Sequence, residues 1–380
     1  MNILITAPHG LYLDYSASFV HNQARAYVQA GHCVRVVIPV AVGKKNYAGK
    51  RFGKTVDIHC VDGVQIYYVR ALSLGRFSIG RFNAKSARLA FEYAMGKITE
   101  GFCPDVIHAH TLDFGSEVTT CFKKRFGCPM VVTTHGGDTF VPYNQGRKSD
   151  LKRYTEDADV VVCVSNLLRK RLEECGATAP MQIILNGFDV PQVVADVKKD
   201  PNRVIQVGNL IPRKKVDVSI QAIAELKKEN EEIRFVCVGA GPERENLEQL
   251  CKALSVEDAV TFTGRLPNPE AQRRMAEATY FVMPSVHEGF GIVYMEAMAA
   301  GCVAIGTEGE GIADMIEHGV NGFLVPADDP MAIKQVIRSC TDDPEHTAEI
   351  ADNGRKTART MTWENNARQY QLLFETLIRG

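Results

Sequence analysis

Two glutamates, Glu288 and Glu296, lie near the start of a helix-forming stretch in the second half of the chain. The residues before Glu288 read as the end of a strand, and a loop containing Gly289 and Gly291 leads into a helix that begins at Ile292. The first N–H groups of such a helix have no partner within it and carry partial positive charge, so they can bind a phosphate. Carboxylates suit the hydroxyl groups that flank a phosphate, because they accept hydrogen bonds. The pattern predicts a site for a nucleoside-diphosphate sugar; the alternative is an ordinary loop–helix junction with two surface glutamates.

A histidine, His135, follows the predicted strand 131–134 and precedes two glycines. Ligands of open parallel sheets bind beyond the carboxyl ends of the strands, so this position favours contact with a ligand. His108 and His110 lie together at the end of another predicted strand, and histidines are common metal ligands. No cysteine or acidic partner pattern accompanies them, so the sequence favours a structural or substrate-lining role for this pair.

The elements that position these residues alternate between strands and helices. In the first half, predicted strands cover residues 2–7, 34–38, 65–69, 105–108, 130–134 and 160–164, and predicted helices cover 18–30, 86–99, 117–126 and 167–174. Residues 191–202 have linker composition. The alternation then restarts, with strands 204–207, 234–238, 260–263, 280–283 and 303–306, helices 218–228, 244–253, 269–276 and 292–300, and a final amphipathic helix 365–379. This alternation predicts parallel sheets that are covered by helices on both faces.

Composition limits the classes of protein to consider. The chain has 380 residues, more than one hydrophobic core usually serves, so two domains are expected. Its formal net charge of -1 argues against a dedicated nucleic-acid-binding protein. No apolar run approaches the length of a transmembrane helix, and the N-terminus enters a strand with no signal-peptide pattern. The 11 cysteines are scattered without a C-x-x-C pair, which predicts reduced thiols in a cytoplasmic protein.

Residues 288–301, EGFGIVYMEAMAAG, resemble the donor-binding stretch of the retaining glycosyltransferases of family 4, which have the GT-B fold. Further segments resemble the family in the same order along the chain: HGGD at 135–138, LNGFD at 185–189, VGNLIPRKK at 207–215, VGAGP at 238–242 and TFTGRL at 261–266. The resemblance covers most of residues 1–370. It implies two doubly wound, Rossmann-like domains that face each other across a cleft.

The resemblance also implies a role for each domain. Residues 1–190, joined by a C-terminal crossover helix at 365–380, would form the acceptor-side domain. Residues 191–202 would be the linker, and residues 203–364 would form the nucleotide-sugar-binding domain.

In the family, residues matching Glu288 and His135 contact the transferred sugar, and the residue matching Lys214 neutralises the diphosphate, so these three are the predicted catalytic residues. The second glutamate, Glu296, would bind the ribose hydroxyls. The complete set of predicted donor-binding residues is Gly208, Asn209, Arg213, Lys214, Gly239, Gly241, Thr263, Gly264, Arg265, Leu266, Glu288, Gly289, Phe290, Gly291, Ile292, Val293 and Glu296.

The chain departs from the family pattern in the basic segment. Asn209 stands where the family has an arginine, and Lys215 stands where it has a glycine. An asparagine cannot supply a charge or a guanidinium fork, so we interpret Arg213 as the replacement. On the acceptor side, the predicted residues are Tyr15, Ser16, Asp138 and Asn186.

Residues 44–88 contain ten basic residues against two acidic ones, with phenylalanines interleaved. This local excess of charge predicts contact with an anionic membrane surface or with a lipid-diphosphate acceptor. A solvated loop face is the alternative.

We therefore predict a retaining hexosyltransferase that is cytoplasmic, or peripheral at the inner face of the membrane. It would move a sugar from a UDP- or GDP-sugar to a glycan or a polyprenyl-diphosphate-linked acceptor, in bacterial surface polysaccharide biosynthesis. No cofactor and no metal are expected, because no Asp-x-Asp motif occurs. The alternatives are a GT-B nucleotide-sugar epimerase and a non-catalytic nucleotide-sugar-binding protein. A Rossmann dehydrogenase is disfavoured, because residues 7–10, APHG, do not begin a G-x-G-x-x-G pattern.

Overall fold

The computed structural model describes residues 1–7, 19–43, 56–73, 80–112, 114–190 and 197–380. The chain forms two compact units: Met1–Gly187 together with Trp363–Gly380, and Phe188–Thr362. A strand begins at Asp200, inside the segment that the composition marked as linker, because Asp200 pairs with Ala278 of a neighbouring strand.

The first unit is built on a sheet of eight described strands. They are β1 (Asn2–Thr6), β2 (Cys33–Gly43), β3 (Val56–Val61), β4 (Val64–Ser73), β5 (Val106–His110), β6 (Met130–Thr134), β7 (Val160–Cys163) and β8 (Met181–Ile183). Their order is β3-β4-β2-β1-β5-β6-β7-β8. Neighbours are parallel except β3 and β4, which form a hairpin with positive φ at Asp62 and Gly63. The intervening helices are Phe19–Gln29, Gly80–Ile98, Phe114–Phe126, Gly137–Asn144, Lys148–Glu156 and Asn166–Glu173.

The central strands of this sheet are buried along their whole length, as expected for a parallel sheet with both faces covered. The predicted doubly wound architecture is confirmed. Strand β5 runs two residues further than predicted and includes His108 and His110, so both histidines belong to the strand itself.

The second unit contains six described strands, all joined in parallel. They are β9 (Asp200–Val207), β10 (Arg234–Val238), β11 (Val260–Gly264), β12 (Ala278–Val282), β13 (Val303–Thr307) and β14 (Phe323–Val325), in the order β11-β10-β9-β12-β13-β14. The helices are Val216–Lys227, Arg244–Ala253, Asn268–Glu277, Ile292–Ala299, Pro330–Asp342 and Pro344–Thr360.

The position of β9 determines where this unit can bind a ligand. It lies between β10 and β12, so the loops that leave β9 and β12 turn away from each other at the carboxyl edge of the sheet. Such a reversal of strand order leaves a crevice in which open α/β sheets bind their ligands. Residues 208–215 leave β9, and residues 283–291 leave β12.

Helix Trp363–Arg379 packs within the first unit. The side-chain amide of Asn366 donates a 2.7 Å hydrogen bond to the carbonyl of Leu185, and the hydroxyl of Tyr370 lies 2.8 Å from that of Thr133. Tyr370 is buried, so the amphipathic face predicted for this segment covers the sheet. Among the helices that the structure describes, none is long and apolar enough to cross a membrane.

Candidate active site

A loop of residues 284–291 connects the end of β12 to helix Ile292–Ala299. Gly291, immediately before the helix, has a φ of 83°, and a Cβ at this position would lie 2.7 Å from Cδ2 of Tyr294. The buried hydroxyl of Tyr294 donates a hydrogen bond to the carbonyl of Met283, which fixes the first helical turn against the end of the strand. The unpaired N–H groups of that turn are therefore held at the carboxyl edge of the sheet, where they can bind an anion.

Glu288, in this loop, forms ion pairs with two basic residues of the 3-10 turn Pro212–Lys214. Its Oε2 accepts a hydrogen bond from Nζ of Lys214 and lies 3.3 Å from a guanidinium nitrogen of Arg213. Glu288 and Lys214 are 13% and 12% exposed, whereas Arg213 is 44% exposed. Water screens the Lys214 contact less, so it is the stronger of the two. The structure thus brings together three predicted residues from segments about 74 residues apart.

The two departures from the family pattern differ in structure. Lys215 has a φ of 49° and a ψ of 43°, a left-handed conformation that accounts for the glycine usual at this position. Its Nζ forms a 2.6 Å ion pair with Asp328. Asn209 is exposed at the end of β9, and Arg213 supplies the second positive charge beside Glu288.

Glu296 lies one turn into helix Ile292–Ala299 and is half-buried. Burial raises the pKa of this carboxyl, and the nearby Asp189 raises it further. The carboxyl makes no hydrogen bond or ion pair with the residues that the structure describes. A half-buried carboxylate without a donor costs free energy, which a hydrogen bond from a ligand hydroxyl would recover.

The glycines at the ends of β9 and β10 have a packing role that the sequence analysis missed. A Cβ at Gly239, where φ is 145°, would lie 1.8 Å from the carbonyl oxygen of Gly208. A Cβ at Gly241 would lie 2.2 Å from the carbonyl oxygen of Leu210. The N–H of Leu210 donates a 3.0 Å hydrogen bond to the carbonyl of Ala240. These glycines let two backbone segments lie against each other, whether or not they also contact a donor.

The predicted donor-binding residues 263–266 lie at the end of β11. The hydroxyl of Thr263 donates a 2.9 Å hydrogen bond to the carbonyl of Gly264, which also accepts a 2.9 Å hydrogen bond from the N–H of Gly239. Arg265 is exposed and Leu266 is half-buried. The backbone of this segment is therefore fixed at the carboxyl edge, and its contact with the donor stays a prediction.

Four further predicted donor-binding residues flank the start of helix Ile292–Ala299. Gly289 and Phe290 are buried, and Ile292 and Val293 are half-buried. The Phe290 ring is only 3% exposed and belongs to the core, so this residue can meet a ligand mainly through its backbone.

The turn after β13 contributes a residue that the sequence analysis did not single out. Oε2 of Glu310 accepts a 2.8 Å hydrogen bond from the backbone N–H of Glu288. The sequence does not single out Glu310, because no local pattern reveals a partner 22 residues away.

In the first unit, β5 and β6 bring three histidines together. Nδ1 of His110 lies 2.9 Å from Nε2 of His135, and the two rings stack with centroids 5.2 Å apart. Nε2 of His108 lies 2.8 Å from the hydroxyl of Thr133. His108 and His110 are fully buried, and the choice between the predicted structural and substrate-lining roles stays a prediction. In the described part of the chain, no three or more His, Cys, Asp or Glu side chains are arranged so that they could hold a metal ion.

Burial lowers the pKa of each of these histidines: to about 3 for His108, to about 4 for His135, and well below the ordinary value for His110. All three rings are therefore neutral at pH 7. In the contact between His110 and His135, one nitrogen donates a hydrogen bond and the other accepts it. His135 consequently offers a ligand an uncharged ring whose tautomer is coupled to that of His110.

Asp138 holds the turn that carries His135. Its carboxylate accepts hydrogen bonds from the backbone N–H groups of His135 at 3.0 Å, Gly136 at 2.9 Å and Leu112 at 2.7 Å. These contacts account for Asp138 as a structural residue, and its predicted contact with an acceptor stays a prediction.

The other acceptor-side predictions are not tested by the structure. Asn186 is buried, at 8% exposure, after β8. Tyr15 and Ser16, and much of the basic segment, lie outside the described residues. In the described part of that segment, Arg70 pairs with Asp57 at 2.5 Å and Arg88 pairs with Glu92 at 3.0 Å.

Known proteins are similar in sequence to most of this chain. The chain is 25% identical to the amylovoran biosynthesis glycosyltransferase AmsK of Erwinia amylovora, covering 85% of this chain and 86% of that protein. It is 27% identical to a putative colanic acid biosynthesis glycosyltransferase of Escherichia coli, covering 73% of this chain and 72% of that protein.

Solved structures show the same fold. A sucrose-phosphate synthase from Thermosynechococcus elongatus superposes with a TM-score of 0.79 at 22% identity, covering 100% of this chain and 99% of that one. HepE from Anabaena, solved in complex with UDP and glucose, gives a TM-score of 0.73 at 20% identity, covering 99% of this chain and 100% of that one.

Two family descriptions match the chain in succession. Residues 16–192 match Glycosyltransferase Family 4, and residues 192–357 match Glycosyl transferases group 1. The chain belongs to glycosyltransferase family 4, a family of retaining enzymes that have the GT-B fold and use nucleotide sugars.

Proposed function

We propose that this enzyme transfers a hexose from UDP or GDP to a glycan or a polyprenyl-diphosphate-linked acceptor, without a metal ion, during the synthesis of a bacterial surface polysaccharide. The observation that carries the donor part of the proposal is the group formed by Lys214, Glu288 and the start of helix Ile292–Ala299 within one unit. The relatives that act in amylovoran and colanic acid biosynthesis support the setting.

Lys214 and the helix start stabilise the leaving diphosphate in this proposal. Cleavage of the bond between the sugar and the diphosphate develops negative charge on the leaving oxygen. A cation that is only 12% exposed, together with unpaired helix N–H groups, interacts more strongly with that charge than with the bound donor. Arg213 adds a weaker contribution, because it is more exposed.

The ion pair between Lys214 and Glu288 is compatible with both proposed roles. An ammonium group has three donors, so Lys214 can keep its hydrogen bond to Glu288 while it donates another to a phosphate oxygen. The carboxylate of Glu288 keeps other lone pairs that can accept hydrogen bonds from sugar hydroxyls. Lys214 thereby sets the distance between the diphosphate and the carboxylate that orients the sugar.

Glu296 and His135 complete the proposed recognition of the donor. Glu296 accepts hydrogen bonds from the ribose hydroxyls, which supply the donors that its half-buried carboxylate lacks among the described residues. His135 exchanges a hydrogen bond with a hydroxyl of the transferred sugar through its neutral ring. The sugar passes through an oxocarbenium-like state, and the acceptor attacks from the face that the diphosphate leaves.

Thermal unfolding with UDP, GDP or ADP, each with and without magnesium, tests the donor class. A ligand that binds only the folded state stabilises it by about 2.7 kcal/mol at a hundredfold excess over Kd. We expect a shift with UDP or GDP that does not depend on magnesium. Equal behaviour of all three nucleotides, or a shift only with magnesium, would contradict the proposal.

Product analysis tests transfer. The enzyme is incubated with the nucleotide sugar selected by thermal unfolding and with lipid-linked or glycan acceptors. Transfer gives the nucleoside diphosphate and a lengthened acceptor whose new linkage retains the donor's anomeric configuration. Release of an isomerised sugar would instead identify an epimerase, and binding without any product would identify a non-catalytic protein.

The acceptor and the location of the enzyme belong to the same proposal. A polyprenyl-diphosphate acceptor lies at a membrane surface, which fits a cytoplasmic enzyme whose basic segment, residues 44–88, contacts anionic lipid. Flotation with vesicles of neutral lipid, and with vesicles that contain anionic lipid, measures this contact. Equal recovery with both kinds of vesicle would exclude it.

A further inference from the structure

Glu310 and Gly311, in the turn that follows β13, form hydrogen bonds with the backbone of the 284–291 loop. The carboxylate of Glu310 accepts a 2.8 Å hydrogen bond from the N–H of Glu288, and the N–H of His287 is a second donor to the same carboxylate. The next residue, Gly311, donates its own N–H to the carbonyl oxygen of Glu288 at 3.1 Å. Both the N–H and the C=O of Glu288 are therefore held by two consecutive residues of this turn.

The fit between the two segments is close. A Cβ at Gly311 would lie 2.1 Å from the carbonyl oxygen of Gly289, so only glycine permits this approach. On the other side of the contact, His287 has a φ of 56°, a left-handed conformation that is uncommon for non-glycine residues. The acceptor for the His287 and Glu288 N–H groups is the part of the surroundings that holds this conformation.

Glu310 is held by backbone donors. It is half-buried, burial raises the pKa of its carboxyl, and it forms no ion pair with Lys or Arg in the described part of the chain. Its negative charge lies near that of Glu288, which Lys214 and Arg213 neutralise. A half-buried carboxylate costs free energy, and the hydrogen bonds that it accepts from backbone N–H groups offset part of that cost.

We propose that Glu310 is a positioning residue of the donor site. Its carboxylate fixes the backbone at His287 and Glu288, so that the side chain of Glu288 meets Lys214 and the loop enters helix Ile292–Ala299 in the conformation that binds the nucleotide sugar. The inference rests on the proposed role of Glu288 in donor binding. It adds a residue from a different segment, which touches that site only through the backbone.

The contact of Glu310 with the N–H groups of His287 and Glu288 could also oppose donor binding, and the two roles predict opposite effects. If the donor itself needed the N–H groups of His287 and Glu288, Glu310 would compete with it, and removal of the carboxylate would strengthen donor binding. Positioning predicts that removal weakens donor binding.

Glu310→Gln is the informative substitution, since it keeps the size of the side chain and removes its charge. An amide has one acceptor oxygen and its NH2 group repels the second backbone N–H. The matched control is Glu308→Gln, which makes the same change of net charge at an exposed position two residues away. The measurements are Tm, the Kd of the nucleotide sugar selected by thermal unfolding, and KM and kcat for its slow hydrolysis with water as acceptor.

For Glu310→Gln we expect Kd and KM for the nucleotide sugar to rise about tenfold, a change of about 1.4 kcal/mol. The Glu308→Gln control should stay within about twofold of the unsubstituted enzyme. A residue that only stabilises the fold would lower Tm and the active fraction, and hence kcat, while Kd and KM of the folded enzyme stayed constant. That result, or tighter binding, would overturn the proposal.

Glu288→Gln, measured in parallel, separates this inference from the proposed function. If Glu288→Gln hydrolyses the nucleotide sugar at the normal rate, the proposed role of Glu288 fails. If Glu288→Gln loses activity while Glu310→Gln keeps the normal Kd and KM, only the positioning role of Glu310 fails.

Discussion

The contact of Glu288 with Lys214 predicts that Glu288→Gln will strengthen binding of the nucleoside diphosphate while it weakens transfer of the sugar. The substitution keeps the length of the side chain and removes the negative charge that both Lys214 and Arg213 face. The two cations then act on the diphosphate without competition. The transferred sugar loses a charged acceptor for its hydroxyls.

The magnitude follows from the shared lysine. A phosphate oxygen bound to Nζ of Lys214 lies within about 6 Å of the Glu288 carboxylate, because two hydrogen bonds of about 3 Å meet at the same nitrogen. Two unit charges at this distance repel by roughly 3 kcal/mol at an effective dielectric constant of 20. The site is partly exposed, so we take about 1–2 kcal/mol, a five- to thirtyfold lower Kd for the nucleoside diphosphate. Loss of a charged hydrogen bond to the sugar, worth about 1.5–3 kcal/mol, should lower kcat/KM about 10- to 160-fold.

Calorimetry with UDP or GDP measures the first effect, and release of nucleoside diphosphate from the matching nucleotide sugar measures the second. Glu308→Gln again serves as the control, because it changes the net charge equally at an exposed site. Weaker binding of the diphosphate by Glu288→Gln would refute the assignment of Lys214 to the phosphates. An equal gain in Glu308→Gln would show that only the overall charge matters.

Three other predictions test the structure. Gly239→Ala should lower Tm by roughly 6–12 °C, because overpacking at this position costs about 3 kcal/mol. Gly264 has a positive φ but open space around it, so Gly264→Ala should lower Tm by only roughly 2–4 °C. Equal losses would contradict the packing role of Gly239. Glu296→Gln should raise Tm at pH 7.5, because the raised pKa of Glu296 means that ionisation of this carboxyl opposes folding. The gain in Tm should vanish below pH 4.5, where the carboxyl is protonated in both the folded and the unfolded protein. A gain that does not depend on pH would argue against an unfavourable ionised carboxylate at this position. The free energy of unfolding should fall as pH drops from about 6.5 towards 4, because histidines of the unfolded chain bind protons that the buried histidines of the folded protein do not. His108→Gln should reduce the slope of the free energy of unfolding against pH by up to about 1.4 kcal/mol per pH unit. An unchanged slope would mean that His108 does not contribute.

Local patterns predicted the elements well where apolar periodicity is strong. The predicted strand 234–238 matches β10 residue for residue, and the alternation of strands and helices led to the correct fold class. Helices Pro330–Asp342 and Pro344–Thr360 were missed, although each begins with an aspartate cap followed by a proline. Asp329 and Asp343 accept hydrogen bonds from the first helical N–H groups, so Asp-Pro at these positions was a readable signal.

The candidate site was predictable only in part, because some of its contacts join distant segments. Motif order identified Glu288, Lys214 and His135, but the ion pair between the first two depends on how β9 and β12 lie side by side. The role of Glu310 depends on a backbone N–H, which carries no sequence signal. The conformation of Lys215 was equally hidden, although the glycine that the family has at this position is the sign of a left-handed backbone.

The first unit is built from two segments that are far apart in the chain, and this affects the order in which the protein can fold during synthesis. Residues 1–187 are synthesised before helix Trp363–Arg379, yet their core includes Tyr370, whose hydroxyl hydrogen-bonds to that of Thr133 across 237 residues of chain. Phe188 and Thr362, the two ends of the second unit, form a parallel β-bridge, so that unit joins its own ends when it folds. Closure of so long a loop then costs little further entropy. We expect the second unit to act as a folded insert that delivers helix Trp363–Arg379 to the first unit, which completes its core only after that helix has been synthesised.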